Sequence, residues 1–222
     1  MKTETKDAEI RIALRDFVRS DHESAPKAVF LEEFALKGGM IRADIASLNG
    51  VSHGYEIKSA SDTLARLPAQ VNAYSAVFDK ATLVGAPCHI PSVRSIIPAW
   101  WGIVRVTWKA GAGLHLERIR ESRFNPSPDA EAIAALLWRP EALGLLSTLG
   151  LDGGVRSKSM QFLVERLANE LDPKLLSNYV RQAIRARGDW RAAARLRRCG
   201  DTSLPLSNRW RSPRNPYVSS HQ

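Results

Sequence analysis

The stretch Met40-Ile41-Arg42-Ala43-Asp44-Ile45-Ala46-Ser47-Leu48-Asn49-Gly50-Val51-Ser52-His53-Gly54-Tyr55-Glu56-Ile57-Lys58 decides how this chain is read. Its first half alternates, with Ile41, Ala43 and Ile45 on one face and Arg42 and Asp44 on the other, which predicts a half-buried strand over residues 40–48. Asn49-Gly50 is a hairpin signal. The return strand, residues 53–58, sends Tyr55 and Ile57 into the core and leaves Glu56 and Lys58 together on one face. Loop length matters here. A two-residue loop would set Asp44 against Tyr55 and leave Asp44 and Glu56 on opposite faces. A three-residue loop with a bulge at Gly50 puts them on a shared face.

Outward from this hairpin, Ile10, Leu14 and Phe17 recur at i, i+4, i+7 and predict a helix over residues 7–19. The apolar run Val29-Phe30-Leu31 leads into Glu32-Glu33 and closes at Gly38-Gly39, which reads as a strand. Downstream, Asp62 caps a short turn, and Pro68 opens a helix through Phe78 with a buried stripe of Val71, Tyr74, Ser75 and Phe78. Ala81-Thr82-Leu83-Val84 is a buried strand. Residues 102–108 and 114–119 alternate around Ala110-Gly111-Ala112-Gly113 as a further pair. Past Asn125-Pro126-Ser127-Pro128 the composition turns to Leu, Ala and Arg with helical period, giving helices near 129–138, 141–149, 158–171, 174–187 and 189–198. The implied organisation is an α/β unit over 1–124, a helical basic region over 125–199, and a poorly ordered basic tail over 200–222.

The 222 residues carry a formal charge of +9, and its placement is informative. Residues 1–180 hold 22 Lys and Arg against 21 Asp and Glu, whereas residues 181–222 hold 10 Arg against Asp189 and Asp201. A localised cationic stretch attracts polyanions by counterion release, which makes nucleic acid the first partner to consider; a solubilising tail is the plain alternative. No apolar run is long enough to cross a membrane, and Met1 to Lys6 lack the apolar segment of a secretory signal, so a cytoplasmic protein without a membrane partner is expected. Cys88 and Cys199 and the five histidines have no zinc-type spacing.

Metal-assisted phosphodiester cleavage needs carboxylates for a divalent cation and a group that orients water beside the phosphate. Asp44 and Glu56-Ile57-Lys58 supply that inventory. The acid-x-Lys spacing alone is uninformative, because Glu4-Thr5-Lys6 and Asp172-Pro173-Lys174 share it. Only the triplet at 56–58 falls in a predicted strand, behind another strand carrying an acid and ahead of an amphipathic helix. The plain alternative is the solvated face of an ordinary hairpin. Solvated side chains of this kind contribute little packing, so Lys58→Ala would leave the fold intact and removal of Asp44 or Glu56 would relieve repulsion.

Arg-Ala-Asp-Ile-Ala at 42–46, Gly-Tyr-Glu-Ile-Lys-Ser at 54–59, Asp62-Thr63-Leu64-x-Arg66-Leu67-Pro68-x-Gln70-x-x-x-Tyr74 and Phe78-Asp79-Lys80-x-Thr82-Leu83-Val84 closely resemble an uncharacterised bacterial family related to the PD-(D/E)xK, or restriction-endonuclease-like, nucleases. The likeness continues through Ile97-Pro98-x-Trp100-Trp101-Gly102-Ile103 and covers the N-terminal half. It implies a core of helix, three-stranded meander, helix and strand, followed by an all-helical region. It further implies that Asp44 and Glu56 bind Mg²⁺ or Mn²⁺ with the Ile57 carbonyl, and that Lys58 positions the attacking water. Glu33 takes the place of an additional upstream acid, with Glu32 as its competitor. Gln70 and Tyr74 match the Gln-x-x-x-Tyr motif of the RecB-like branch. The family's proline is absent, since Arg42-Ala43 precedes Asp44.

The helical half gives a fainter likeness: residues 141–149, Gly150 to Gly154 and residues 158–167 resemble the helix-extension-helix of SAP-type DNA-binding modules. A plain bundle is the alternative. Arg181, Arg185, Arg191, Arg195 and Arg198 fall at helical spacings and would line a cationic stripe, with a solvated arginine face as the alternative; Lys158, Arg42 and Arg66 are further phosphate contacts, and Trp190 would either stack on a base or pin its helix to a neighbour. The resulting expectation is a Mg²⁺- or Mn²⁺-dependent nuclease acting on DNA. A catalytically silent binding or assembly module and an RNA-directed nuclease are its rivals.

Overall fold

The computed structural model describes residues 7–20, 28–109 and 113–187. Six strands form one sheet in sequence order: β1 (Val29–Leu36), β2 (Ile41–Asn49), β3 (Val51–Lys58), β4 (Lys80–Gly85), β5 (Gly102–Lys109) and β6 (Gly113–Arg120). β1, β2 and β3 are an antiparallel meander, β3, β4 and β5 run parallel, and β6 returns antiparallel to β5. The parallel steps are crossed by α2 (Leu67–Val77) and α3 (Ile90–Ile96). α1 (Asp7–Ser20) precedes the sheet, and α4 (Ala130–Ala134), α5 (Arg139–Thr148), α6 (Met160–Glu170) and α7 (Pro173–Ala186) follow it. The chain is thus a mixed α/β structure built on an open six-stranded sheet. The helix expected at 189–198 lies outside the described residues, as do residues 110–112 and the tail expected over 200–222.

Each face of the sheet buries its own apolar cluster. Under α1 lie Ile10, Leu14 and Val18 with Ile45, Tyr55, Ile57, Val84, Val104 and Val106. Val18 completes the buried stripe; Phe17, the residue expected there, packs at its margin. The other cluster joins β-strand residues such as Leu36, Leu48, Leu83 and Ile103 to α2 and onward to α4, α5, α6 and α7. Each such leucine or isoleucine contributes about 1.5–3 kcal/mol relative to an exposed one.

The alternation expected in β2 is broken. Ala43, Ala46 and Leu48 all belong to the cluster under α2, and Ile45 to the cluster under α1. The strand therefore turns over between Ala43 and Ala46, and the shared face expected for Ile41, Ala43 and Ile45 does not exist. β1 turns over opposite it: Leu31 and Phe34 face the same cluster, and Glu33 between them has a φ of 51°. The two turnovers lie side by side in the ladder, between the pairs Glu32↔Ile45 and Phe34↔Ala43.

Two further features fix α2 and α7. A Cβ on Gly54 would stand 2.5 Å from the Phe78 ring and 2.8 Å from that of Tyr74, so only glycine lets α2 lie this close to β3. Asp79 gathers the Ser52 N–H at 2.7 Å, the Ser52 hydroxyl at 2.9 Å, the Ser177 hydroxyl at 3.2 Å and Arg181 at 2.7 Å. This side chain ties the start of β3 to α7.

Candidate functional site

The β2–β3 loop sets the register. Leu48 pairs with Ser52 and Ile45 with Tyr55, which is the three-residue form, and Gly50 takes a φ of 69° at its tip. Asp44 therefore stands across from Glu56 and not from Tyr55. The ladder ends at Ile45 and Tyr55, and beyond it the strands part. In the gap the Asp44 Oδ2 accepts the Ile57 N–H at 2.7 Å, in place of a backbone carbonyl.

Glu56 and Lys58 do share a face, and they pair along it: Lys58 Nζ donates to Glu56 Oε1 at 2.7 Å and to Gln70 Oε1 at 3.0 Å. The Tyr74 hydroxyl donates to Glu56 Oε2 at 2.6 Å and accepts the Asp44 N–H at 3.2 Å. Gln70 and Tyr74, one turn apart on α2, thus grip the two ends of the Lys58–Glu56 pair. Burial pushes the Tyr74 phenol well above its ordinary value, and the Glu56 and Asp44 charges push it further, so the hydroxyl stays a donor. Glu56 is 1% exposed and Lys58 4%. This corrects the picture of a solvated hairpin face: both groups are out of water, and removing either one strands the other.

The structure separates the two glutamates of β1. Glu33 reaches toward Asp44 through a shared partner, Arg11, whose Nη2 donates to Glu33 Oε1 at 2.8 Å and to Asp44 Oδ1 at 2.9 Å. Arg11 Nη1 also donates to the Asp44 carbonyl at 2.9 Å. Glu32 pairs instead with Arg15, one turn further along α1. Sequence reasoning misses Arg11. The signal that could have found it is two arginines at i, i+4 beside the apolar stripe of α1, facing a pair of adjacent glutamates. The turn after β3 is pinned by Asp62, which accepts both the N–H and the hydroxyl of Ser59 at 2.7 Å, and by the His89 ring at 2.8 Å from the Ser59 carbonyl.

The family model described as bacteriophage P4 protein cII matches residues 1–203. The chain belongs to this family. Among the relatives of this cII-family chain, protein cII of Enterobacteria phage P4 is 24% identical over 182 residues, which is 82% of this chain and 67% of the relative. A protein of unknown function, SPO1766 from Silicibacter pomeroyi, aligns in structure with a TM-score of 0.33 and 18% identity over 59% of this chain and 86% of its own.

The expected nucleic-acid contacts of the cII-family chain fall into three groups. Arg42, Arg66, Lys158 and Arg185 are exposed, with Lys158 Nζ 5.4 Å from the centre of the Phe162 ring. Arg42 lies two residues before Asp44, and Arg66 sits at the position just before α2, one turn before Gln70. Arg181 departs from the expected stripe, because its guanidinium is engaged by Asp79 and Ser177, both at 2.7 Å. Arg191, Arg195 and Arg198, and Trp190 beside them, lie outside the described residues. Among the described residues no helix is long and apolar enough to cross a membrane.

The donors that the resemblance assigns to a metal are all oxygen: the Asp44 and Glu56 carboxylates and the Ile57 carbonyl. Among the described residues no three His, Cys, Asp or Glu side chains gather into a cage. A small hard cation such as Mg²⁺ is commonly held by one or two carboxylates, with substrate phosphate and water completing the shell, so these residues fit it.

Proposed function

We propose that the chain is a metal-dependent nuclease that hydrolyses phosphodiester bonds, with DNA as its substrate. One observation supports this reading above the others: the Tyr74 hydroxyl links the Asp44 backbone N–H to the Glu56 carboxylate at the point where β2 and β3 part, with Lys58 held against the same glutamate. Asp44, Glu56 and the Ile57 carbonyl would hold Mg²⁺ or Mn²⁺. A divalent cation there supplies charge stabilisation at the phosphate and makes a water molecule more acidic. The chain's own groups do the rest. Lys58 places a fixed positive charge and a donor beside the phosphate, Gln70 and Tyr74 hold Lys58 and Glu56 in place, and the exposed Arg42 and Arg66 flank the site to take neighbouring phosphates.

The test is cleavage of end-labelled DNA and RNA with Mg²⁺, Mn²⁺ or chelator. Divalent-dependent DNA cleavage, abolished in Asp44→Asn and Lys58→Ala proteins with native spectra, is the expected result. RNA cleavage in place of DNA would reassign the substrate. A Lys58→Ala rate equal to that of the unaltered chain would remove Lys58 from the chemistry.

A second reading, a silent nucleic-acid-binding module on the same scaffold, is favoured by the engagement of both Asp44 oxygens and both Glu56 oxygens by protein groups. DNA binding without cleavage under every metal condition would select it.

A further inference from the structure

We infer that Arg11 is a built-in cation that holds the position of a second metal ion, so that the site takes one divalent ion and not two. This inference rests on the proposed nuclease reading and concerns the metal count of that site. Arg11 bridges Glu33 and Asp44 from a single nitrogen, at 2.8 and 2.9 Å, and its other terminal nitrogen closes on the Asp44 carbonyl at 2.9 Å. Its side chain is 15% exposed, so water screens the charge weakly. Two carboxylate oxygens and a carbonyl converging on one positive centre are the donor set a hard divalent ion would take.

Three independent features hold the guanidinium there. Ile10 and Leu14, on either side of Arg11 in sequence, are buried against the sheet and fix the rotation of α1. Arg15, one turn on, clamps Glu32. Glu33 adopts a φ of 51°, a left-handed conformation unfavourable for a residue with a Cβ, and the strand turnover at this point is what offers its carboxylate to Arg11.

The two loci are held by different partners. Arg11 takes Asp44 Oδ1 and Glu33, whereas the Glu56 oxygens are held by Lys58 and Tyr74. The locus between Asp44, Glu56 and Ile57 is the one the nuclease reading gives to metal, which would share these oxygens with the Ile57 N–H, Lys58 and Tyr74. The other, between Glu33 and Asp44, is filled by protein. In two-metal nucleases the second ion stabilises charge on the phosphate; here the guanidinium supplies positive charge at a fixed place.

Mn²⁺ stoichiometry measured calorimetrically on the full chain, without nucleic acid, tests the inference. The expected result is one Mn²⁺ per chain for the unaltered protein and for Arg11→Lys, two for Arg11→Gln, and a return to one when Glu33→Gln is added to Arg11→Gln. Arg11→Ala is the second neutral variant, and far-ultraviolet dichroism confirms that each protein is folded. Two ions in the unaltered chain overturn the inference and leave the nuclease reading standing. So does one ion of unchanged affinity in both neutral variants. Binding only after Arg11 is neutralised also overturns it, because Arg11 would then shut the whole site. No Mn²⁺ in any of the proteins overturns the metal-dependent reading itself, and the inference with it.

Discussion

Lys58 Nζ lies 2.7 Å from Oε1 of Glu56, two residues away on the same strand, and the two side chains are 5% and 1% exposed. Breaking one partner of a buried pair leaves an uncompensated charge and costs about 3–5 kcal/mol. Lys58→Met should therefore lower the unfolding free energy by about that amount. Adding Glu56→Gln should recover most of it, because the neutral amide no longer lacks a counter-charge. Urea unfolding of the single and double variants measures both. A single variant as stable as the parent would contradict the burial of the pair.

Tyr74 makes stability depend on alkaline pH. Burial, then the Glu56 and Asp44 charges, raises its phenol well above 10.0, and burial also raises Tyr55. In the unfolded chain both lose their protons near the ordinary value, so above about pH 10 the folded state binds more protons than the unfolded one. Stability then falls as pH rises, by about 1.4 kcal/mol per pH unit for each tyrosine. Below that pH the contribution is fully present. Tyr74→Phe should remove its share of the alkaline slope and cost about 1–3 kcal/mol at neutral pH, since Glu56 Oε2 and the Asp44 N–H each lose a partner. Urea midpoints measured from neutral to strongly alkaline pH give both quantities. An unchanged slope would show that Tyr74 titrates normally.

Gly54→Ala should be among the most damaging single-methyl changes in the chain. The added Cβ would meet the Phe78 ring at 2.5 Å and the Tyr74 ring at 2.8 Å, so α2 must move off β3. Overpacking of this kind costs about 1–3 kcal/mol. The Tyr74–Glu56 hydrogen bond lies on the displaced helix, so any cleavage activity should drop further than the stability loss explains. Thermal unfolding and cleavage rate below the transition separate the two effects.

The arginines should divide by what holds them. Arg181→Gln removes the charged partner of Asp79 and should cost about 2 kcal/mol of stability, with no change in the salt dependence of DNA binding. Arg42→Glu and Arg66→Glu, and joint reversal of Arg191, Arg195 and Arg198, should weaken DNA affinity. For every phosphate that such a variant no longer neutralises, the log–log salt slope should flatten by roughly 0.9. Fluorescence anisotropy over a salt series, with urea unfolding alongside, checks the set. A flattened slope for Arg181→Gln at unchanged stability would reverse the assignment.

The sequence displays what period and turn chemistry control. Asn49-Gly50 marks the hairpin, and the three-residue register that sets Asp44 across from Glu56 is one of two outcomes readable from it. It conceals what depends on approach between distant elements. The pattern Ile41, Ala43, Ile45 looks unbroken, so the turnover at Asp44 leaves no trace. α3 escapes because Ile90–Ile96 is short and buries only Val93. Lys58 and Glu56 read as solvated because charge on a strand face normally is; that α2 covers them follows from Gly54, whose need for glycine shows only once Phe78 and Tyr74 are in place. Arg11, Asp79 and Arg181 are joined to their partners across 33, 27 and 102 positions, beyond any local pattern.

Whatever is counted as a domain here, the join after the last strand offers recombination no seam. The Asn125 side chain donates to the Ser75 and Phe78 carbonyls at 2.7 and 3.0 Å, the Asp129 N–H donates to the Ala76 carbonyl at 2.9 Å, and one apolar cluster runs from Leu31 and Phe34 through Val77 to Ala134, Leu137 and Ile184. Genomes that trade segments most readily do so where the exchanged parts touch little. A foreign C-terminal half arriving at this junction would have to match the sheet side chain by side chain, and would also have to bring a cation for Asp79. The two halves therefore share one core, and a change of shape on either side of the junction is felt on the other.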